Sequence, residues 1–283
     1  MQNNSIGKVI LAGAGPGDPE LISVKAARYL MKADVVLTDR LVSPEILVEF
    51  VQEGTDIIYV GKDGKCGDST PQEQINQLMV TYASQGKLVV RLKGGDVSIF
   101  SNILDELQTL VEHDIAYEII PGISAALGAA AYTGIPLTAR NQSLGVRFLT
   151  YYKPEAVHET YWKELAKTKD TLVFYMSSKT LDKLIYQLTS NGIAEDISVA
   201  VVEQATTKNQ CVHISNIYKH KETFGEIEFV SPTLVIVGKV VDLHSQYAWL
   251  TNSQDRSSYF TESRDAFLLN TSLTSKEVLT FPS

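Results

Sequence analysis

Apolar and polar positions along the first half of the chain switch between two periods. Short runs of aliphatic and β-branched residues recur as KVILA (8–12), DVVL (34–37), DIIY (56–59), LVVRL (88–92) and YEII (117–120). Runs of this length read as buried strands. Between them the apolar positions fall at helical spacing: Val24, Ala27 and Leu30; Ile46, Leu47, Phe50 and Val51; Ile75, Leu78, Met79 and Tyr82; Ile103, Leu104, Leu107, Leu110 and Val111. A fifth segment, SAALGAAAYTG (124–134), is built from small residues and reads as a helix packed closely on its neighbours. Asp18-Pro19 and Ser43-Pro44 read as helix starts, and Thr70-Pro71-Gln72-Glu73 as a capping box with proline at the first helical position. Five strand–helix repeats over about 7–134 predict a parallel sheet. The loops GAGPGDP (13–19), TDR (38–40), VGK (60–62), KGGD (93–96) and PGIS (121–124) then lie along its carboxyl edge, where ligands of open α/β sheets bind.

GIPLTARNQSLG (134–145) has the composition of a linker. Beyond it, strands are predicted near 146–151, 171–176, 197–202, 210–214 and 233–240, and helices near 158–168 and 179–190. The fold class is α/β, with two α/β domains: an N-terminal domain, 1–139, carrying the glycine-rich loops, and a C-terminal domain, 140–245. Residues 246–283, rich in Ser and Thr, read as a tail or partner-clasping arm.

Composition narrows the function. At 283 residues and 44% hydrophobic, the chain can bury about two ordinary cores. No apolar run reaches the roughly 18 residues of a membrane span, and MQNNSIGK leads straight into a strand without a signal-peptide core. Two cysteines do not make a disulfide scaffold, so the expected location is cytoplasmic. A net charge of −8 argues against nucleic acid as a partner and leaves room for a local cationic cluster that binds a small anion.

The motifs carry open alternatives. Gly13, Gly15 and Gly17 suggest a dinucleotide loop, but the third glycine of G-x-G-x-x-G falls on Asp18, whose carboxylate would occupy helix donors that a pyrophosphate needs. The stretch is either a close-approach loop for a ligand without phosphate or a tight turn. Gly94-Gly95-Asp96 is either a ligand cradle, with Asp96 accepting from a ribose or amino group, or an ordinary turn. Asp39 at the end of the second strand is a candidate base; Asp39-Arg40 can equally be a structural ion pair. Lys62 is a candidate proton donor or a solvated lysine. Cys211 and His213 share a strand face, but a metal site needs three or four ligands and no other histidine is suitably spaced, so no metal is expected.

Together these stretches resemble the tetrapyrrole methylases. GAGPGDPELISVKAARYLMKADVVLTDRLVSPEIL (13–47), VGK (60–62), PQEQIN (71–76), VVRLKGGD (89–96) and PGISAALGAAAYTGIPLT (121–138) match in order and spacing. TLVFYM (171–176), VEQATT (202–207) and SPTLVIVGKVV (231–241) continue the match, which covers about 8–245. AAYTGIPLT points to the uroporphyrinogen-III C-methyltransferase branch. The resemblance implies S-adenosylmethionine as methyl donor, held in a cleft between the two domains of a homodimer. It implies methylation of uroporphyrinogen III at C2 and C7 to give precorrin-2, on the way to sirohaem or cobalamin. The family's cofactor positions fall on Pro16, Gly94, Gly95, Asp96, Ile99, Ser124, Ala125, Met176 and Ala205, its proton acceptor on Asp39 and its donor on Lys62. For the substrate carboxylates the candidates are Arg40, Arg140 and Arg147, with Lys62 beside them. The chain departs from the family pattern over 97–104, where Asn102 replaces an arginine and Ile103-Leu104 a glycine pair, and at Cys211, usually arginine. These departures motivate two alternatives. One is a methylase of another corrinoid precursor, or of an RNA or protein; the other is a non-catalytic homologue that binds cofactor or tetrapyrrole.

Overall fold

The computed structural model of the chain describes residues 7–60, 70–151 and 159–260. They form two compact units, one of residues up to Gly122 joined by Tyr259 and Phe260, the other Ile123–Ser258.

The first unit contains β1 (Lys8–Gly13), α1 (Val24–Leu30), β2 (Val35–Thr38), α2 (Pro44–Phe50), β3 (Asp56–Tyr59), α3 (Gln72–Ser84), β4 (Leu88–Lys93), α4 (Ile103–Glu112) and β5 (Ala116–Ile120). The strands form one parallel sheet in the order β3-β2-β4-β1-β5. Each central strand is buried on both faces, which is why its run is apolar throughout. Ile10, Ala12, Val36, Val90 and Leu92 pack with Leu30, Ile46 and Leu47 on one side. Val9, Leu11, Val35, Leu37 and Val89 pack with Ile75, Met79 and Leu110 on the other.

The helix starts differ from the expected ones. Asp18-Pro19 opens a single 3-10 turn, in which the Asp18 carboxylate accepts the Glu20 N–H at 2.9 Å. α1 starts later, after Ser23, whose hydroxyl accepts the Ala26 N–H at 3.2 Å. The capping box at Thr70 does not form: Pro71 itself occupies the cap position and no side chain caps α3. In α1 Val24 is exposed, and in α4 Leu104 and Val111 are exposed while Glu106 is fully buried.

The second unit comprises α5 (Ala125–Thr133), β6 (Val146–Thr150), α6 (Glu159–Lys167), β7 (Thr171–Tyr175), α7 (Leu181–Ser190), β8 (Ser198–Glu203), β9 (Cys211–Asn216), α8 (His220–Phe224), β10 (Thr233–Gly238) and α9 (His244–Tyr247). Its sheet runs β6-β7-β10-β8-β9; β6 and β7 are parallel, and the remaining pairs antiparallel. One face packs Trp162, Leu165, Leu184 and Leu188 on Phe174, Val199 and Val235. On the other face Ala126 and Ala129 of α5 are buried with Val173, Ala200 and Ile236. That packing assigns α5 to the second unit, so the division falls after Gly122 instead of after residue 139.

Residues 249–258, expected as part of a tail or partner-clasping arm, form a strap on their own unit. Trp249 donates its indole N–H to the Ala131 carbonyl at 2.8 Å. Asn252 exchanges two hydrogen bonds with the Val212 backbone, at 2.8 and 2.9 Å. Residues 261–283 lie outside the described residues.

Candidate active site

Because β4, β1 and β5 are neighbours, the loops leaving their carboxyl ends meet on one edge of the first sheet. The loops after β1 and β4 are joined by a pair of backbone bonds, Gly95 N–H to Gly15 carbonyl at 2.7 Å and Gly15 N–H to Gly95 carbonyl at 3.2 Å. Asp96 ties in the third loop, its Oδ2 accepting the Gly122 N–H at 2.9 Å and its Oδ1 the Ser98 N–H at 2.8 Å. A Cβ on Gly13 would lie 2.6 Å from both the Gly122 nitrogen and the Gly95 oxygen, and one on Gly122 would lie 2.3 Å from the Gly95 oxygen. The glycines therefore let three backbones touch one another. Pro16, Gly94, Gly95, Asp96 and Ile99, expected at a cofactor, share this edge, but the Asp96 oxygens already bond the loops themselves. Gly122 is the member that spacing alone did not single out, and the role of Gly13 is contact with the other two loops.

Asp39 follows β2 on the same edge and lies beside a buried ionic cluster. Arg91 donates through Nη2 to Asp39 Oδ1 at 2.7 Å and through Nε to Glu106 Oε1 at 3.0 Å. Lys93 donates to the same Glu106 oxygen at 2.8 Å. Arg91, Lys93 and Glu106 are buried. Burial works against the Arg91 charge, but Asp39 and Glu106 outweigh it and raise its pKa. Burial, with Arg91 nearby, depresses the Lys93 pKa. The ion pair of Asp39 is thus with Arg91, on the neighbouring strand β4, and not with Arg40, which is exposed. Lys62 lies outside the described residues.

In the second unit, β7 and β8 both run antiparallel to β10, so their carboxyl ends share an edge. Tyr175 ends β7, and its hydroxyl lies 2.6 Å from Ser124 Oγ and accepts the Ala126 N–H at 3.2 Å. It caps the start of α5, bringing Ser124 and Ala125 to the edge that also carries Met176. Met176, Gln204 and Thr206 hold left-handed backbones, with φ of 55°, 47° and 68°. Such strain in non-glycine residues gathers where surroundings over-determine it, commonly at ligand sites. Ala205, between two of them, has neither its N–H nor its carbonyl bonded among the described residues. Arg140 is exposed. Arg147 does not present a free guanidinium: it donates to Glu164 at 2.5 Å and to Asp170 at 2.8 Å, which counts against its expected role toward substrate.

The sequence profile described as Tetrapyrrole (Corrin/Porphyrin) Methylases matches residues 8–220. The chain belongs to the tetrapyrrole methylases. A siroheme synthase of Stutzerimonas stutzeri is 43% identical to it over 250 residues, covering 88% of this chain and 53% of that one. This methylase therefore spans about half the length of the curated relatives it matches. A uroporphyrin-III C-methyl transferase from Thermus thermophilus, solved in complex with S-adenyl homocysteine, superposes with a TM-score of 0.70 at 32% identity, covering 84% of this chain and all of that one. A cobalt precorrin-4 methyltransferase superposes with a TM-score of 0.75 at 27% identity, covering 86% of this chain and 99% of that one.

One further cluster in this methylase extends the Cys211–His213 pair by a residue that spacing did not show. Glu203, at the end of β8, joins Cys211 and His213 of β9, with ligand-type atoms all within 4.8 Å of one another. The positive charge there is supplied by Arg256 of the strap, which donates to both Glu203 oxygens at 2.5 and 2.9 Å. Burial pushes the Cys211 thiol pKa up, with the Glu203 charge adding to it. Among the described residues no helix is long and apolar enough to cross a membrane.

Proposed function

We propose that this methylase transfers methyl groups from S-adenosylmethionine to C2 and C7 of uroporphyrinogen III, giving precorrin-2 on the way to sirohaem or cobalamin. The observation that carries the proposal is its likeness to the Thermus transferase, which extends over the whole of that chain, the solved complex with S-adenyl homocysteine included.

The donor groups suit that cofactor. Pro16 has no N–H, and the Asp18 carboxylate takes the Glu20 N–H, so the loop after β1 is poorly furnished for phosphate. What the two units offer at Pro16, Gly94, Gly95, Ile99, Ser124, Ala125 and Ala205 is backbone dipole, small side chains and apolar surface, suited to an uncharged nucleoside. Met176 is proposed to add a thioether, and Asp96 a carboxylate whose oxygens hold the first unit's loops in place. S-adenosylmethionine, when bound, supplies a methyl group already activated as a sulfonium. The protein's part is to orient, desolvate and handle the proton. Arg91 holds Asp39 by one oxygen, which leaves Oδ2 to accept the proton that the substrate carbon releases. Lys62 is the proposed proton donor. Arg40 and Arg140, both exposed, are the cations proposed to pair with substrate carboxylates. The chain is also proposed to act as a homodimer: the edge strand β5 exposes Tyr117 and Ile119, an apolar face that a second copy would cover.

Incubation with uroporphyrinogen III and S-adenosylmethionine, read by mass and absorbance, tests the reaction. Gain of two methyl groups is expected. Turnover only of a later corrinoid would overturn the substrate, and tight S-adenosylhomocysteine binding without any turnover would support the non-catalytic homologue.

A further inference from the structure

We infer that the strap over residues 252–257 is a positioning element for the loop 204–206, with Arg256 as its anchor, and that it sets the affinity for S-adenosylmethionine; this rests on the proposed binding of that cofactor at Ala205.

The loop is costly to hold. Gln204 and Thr206 both adopt left-handed backbones, and Thr206 is β-branched, which makes that conformation unusual. Such a turn persists only where its surroundings fix it. Part of the fixing comes from outside the strap: Gln204 donates its N–H to the Pro232 carbonyl at 2.7 Å, and Thr206 donates its N–H to Gln210 Oε1 at 2.8 Å.

The rest comes from the strap. Arg256 clasps Glu203, the residue that leads into the loop, with one nitrogen on each carboxylate oxygen. Glu203 is buried, so this pair is shielded from solvent on the carboxylate side and its geometry is closely defined. The neighbouring Ser257 carbonyl accepts from Gln204 Nε2 at 2.9 Å and from Asn209 Nδ2 at 3.1 Å. Ser253 donates its N–H to the Gln210 carbonyl at 2.9 Å. Residues on both sides of Ala205 are thus tied to the strap, while the peptide groups of Ala205 itself stay unbonded among the described residues. The strap supports the loop and leaves its centre open to a ligand.

The strap lies beyond the stretch that the family profile matches, which ends at residue 220. It acts through Glu203 and Gln204, so Arg256 is a positioning residue that touches neither cofactor nor substrate.

Arg256→Ala and Arg256→Lys in the full chain test this by calorimetry with S-adenosylhomocysteine, steady-state kinetics and amide exchange. Arg256→Ala is expected to weaken S-adenosylhomocysteine and raise KM for S-adenosylmethionine by about tenfold, with kcat changed by less than about twofold. Exchange of the Thr206 and Thr207 amides should speed up, and Arg256→Lys should restore part of the affinity. Unaltered affinity and KM in Arg256→Ala, with only a lower melting temperature, would overturn the inference while leaving the proposed function intact. No binding of S-adenosylhomocysteine by the unaltered chain would overturn the cofactor assignment itself, and the inference with it.

Discussion

Arg91 donates to Asp39 at 2.7 Å with one end of its guanidinium and to Glu106 at 3.0 Å with the other. The residue proposed to accept a proton is therefore held by a cation that is itself locked in the interior of the first unit. Asp39→Asn keeps the shape and removes the charge. It is expected to lower turnover by about a hundredfold or more while S-adenosylhomocysteine affinity changes by less than about twofold. Equal losses in both, measured by kinetics and calorimetry, would make Asp39 a structural partner of Arg91 only.

The same cluster predicts a large effect on stability. Arg91→Met removes the cation shared by Asp39 and Glu106 and leaves the buried Glu106 with Lys93 as its remaining cation among the described residues. Breaking a buried ionic group in this way costs about 3–5 kcal/mol. A loss of unfolding free energy, measured by urea denaturation, well below that range would show that Lys93 suffices to compensate Glu106.

Gly13→Ala would place a methyl group 2.6 Å from backbone atoms of two other loops. No rotamer relieves a Cβ clash with backbone, so the loops after β1, β4 and β5 would have to separate. A loss of about 1–3 kcal/mol is expected from overpacking, with weaker S-adenosylhomocysteine binding. Chemical denaturation and calorimetry on the variant measure the two effects.

Tyr175→Phe deletes the hydroxyl that meets Ser124 and the Ala126 N–H. The loss of a helix cap costs about 1 kcal/mol. Calorimetry should also show weaker cofactor binding, because Ser124 and Ala125 stand at that helix start. A fall in melting temperature with unchanged affinity would separate the cap from the ligand site.

Glu118, on β5, predicts a pH dependence. Hydrogen bonds from Lys25, Lys8 and the Tyr29 hydroxyl push its pKa down to about 2, from an ordinary value of 4.5. A carboxylate whose pKa is lower in the folded state stabilises fully above its ordinary value. That contribution is lost as pH falls from 4.5 towards 2. Glu118→Gln should flatten the dependence of stability on pH in this window. An unchanged acid limb, followed by circular dichroism, would show that these bonds do not persist in solution.

The alternation of strands and helices was legible because each central strand is buried on both faces and each helix on one. The ionic cluster was not. Arg91 interrupts an apolar strand and Glu106 an apolar helical stripe, and nothing local shows that they meet. Val89, Arg91 and Lys93 alternate onto the face of the sheet that α4 covers. Glu106 is buried opposite them, so Leu104 and Val111 turn outward although their spacing suggested a core stripe. The glycine motifs were found for one reason and used partly for another: Gly95 contacts Gly13 and Gly122 as well as lying at the proposed ligand edge. The strap was illegible because its partners, Glu203 and Gln204, lie about fifty residues earlier and its own sequence has no periodicity.

The three-way backbone contact at Gly13, Gly95 and Gly122 also bears on how a ligand is received. Loops that are already wedged together have few alternative conformations to surrender, so binding of the nucleoside at this rim, as proposed, would spend little ordering entropy. Discrimination there falls to fixed shape instead of adaptive closure.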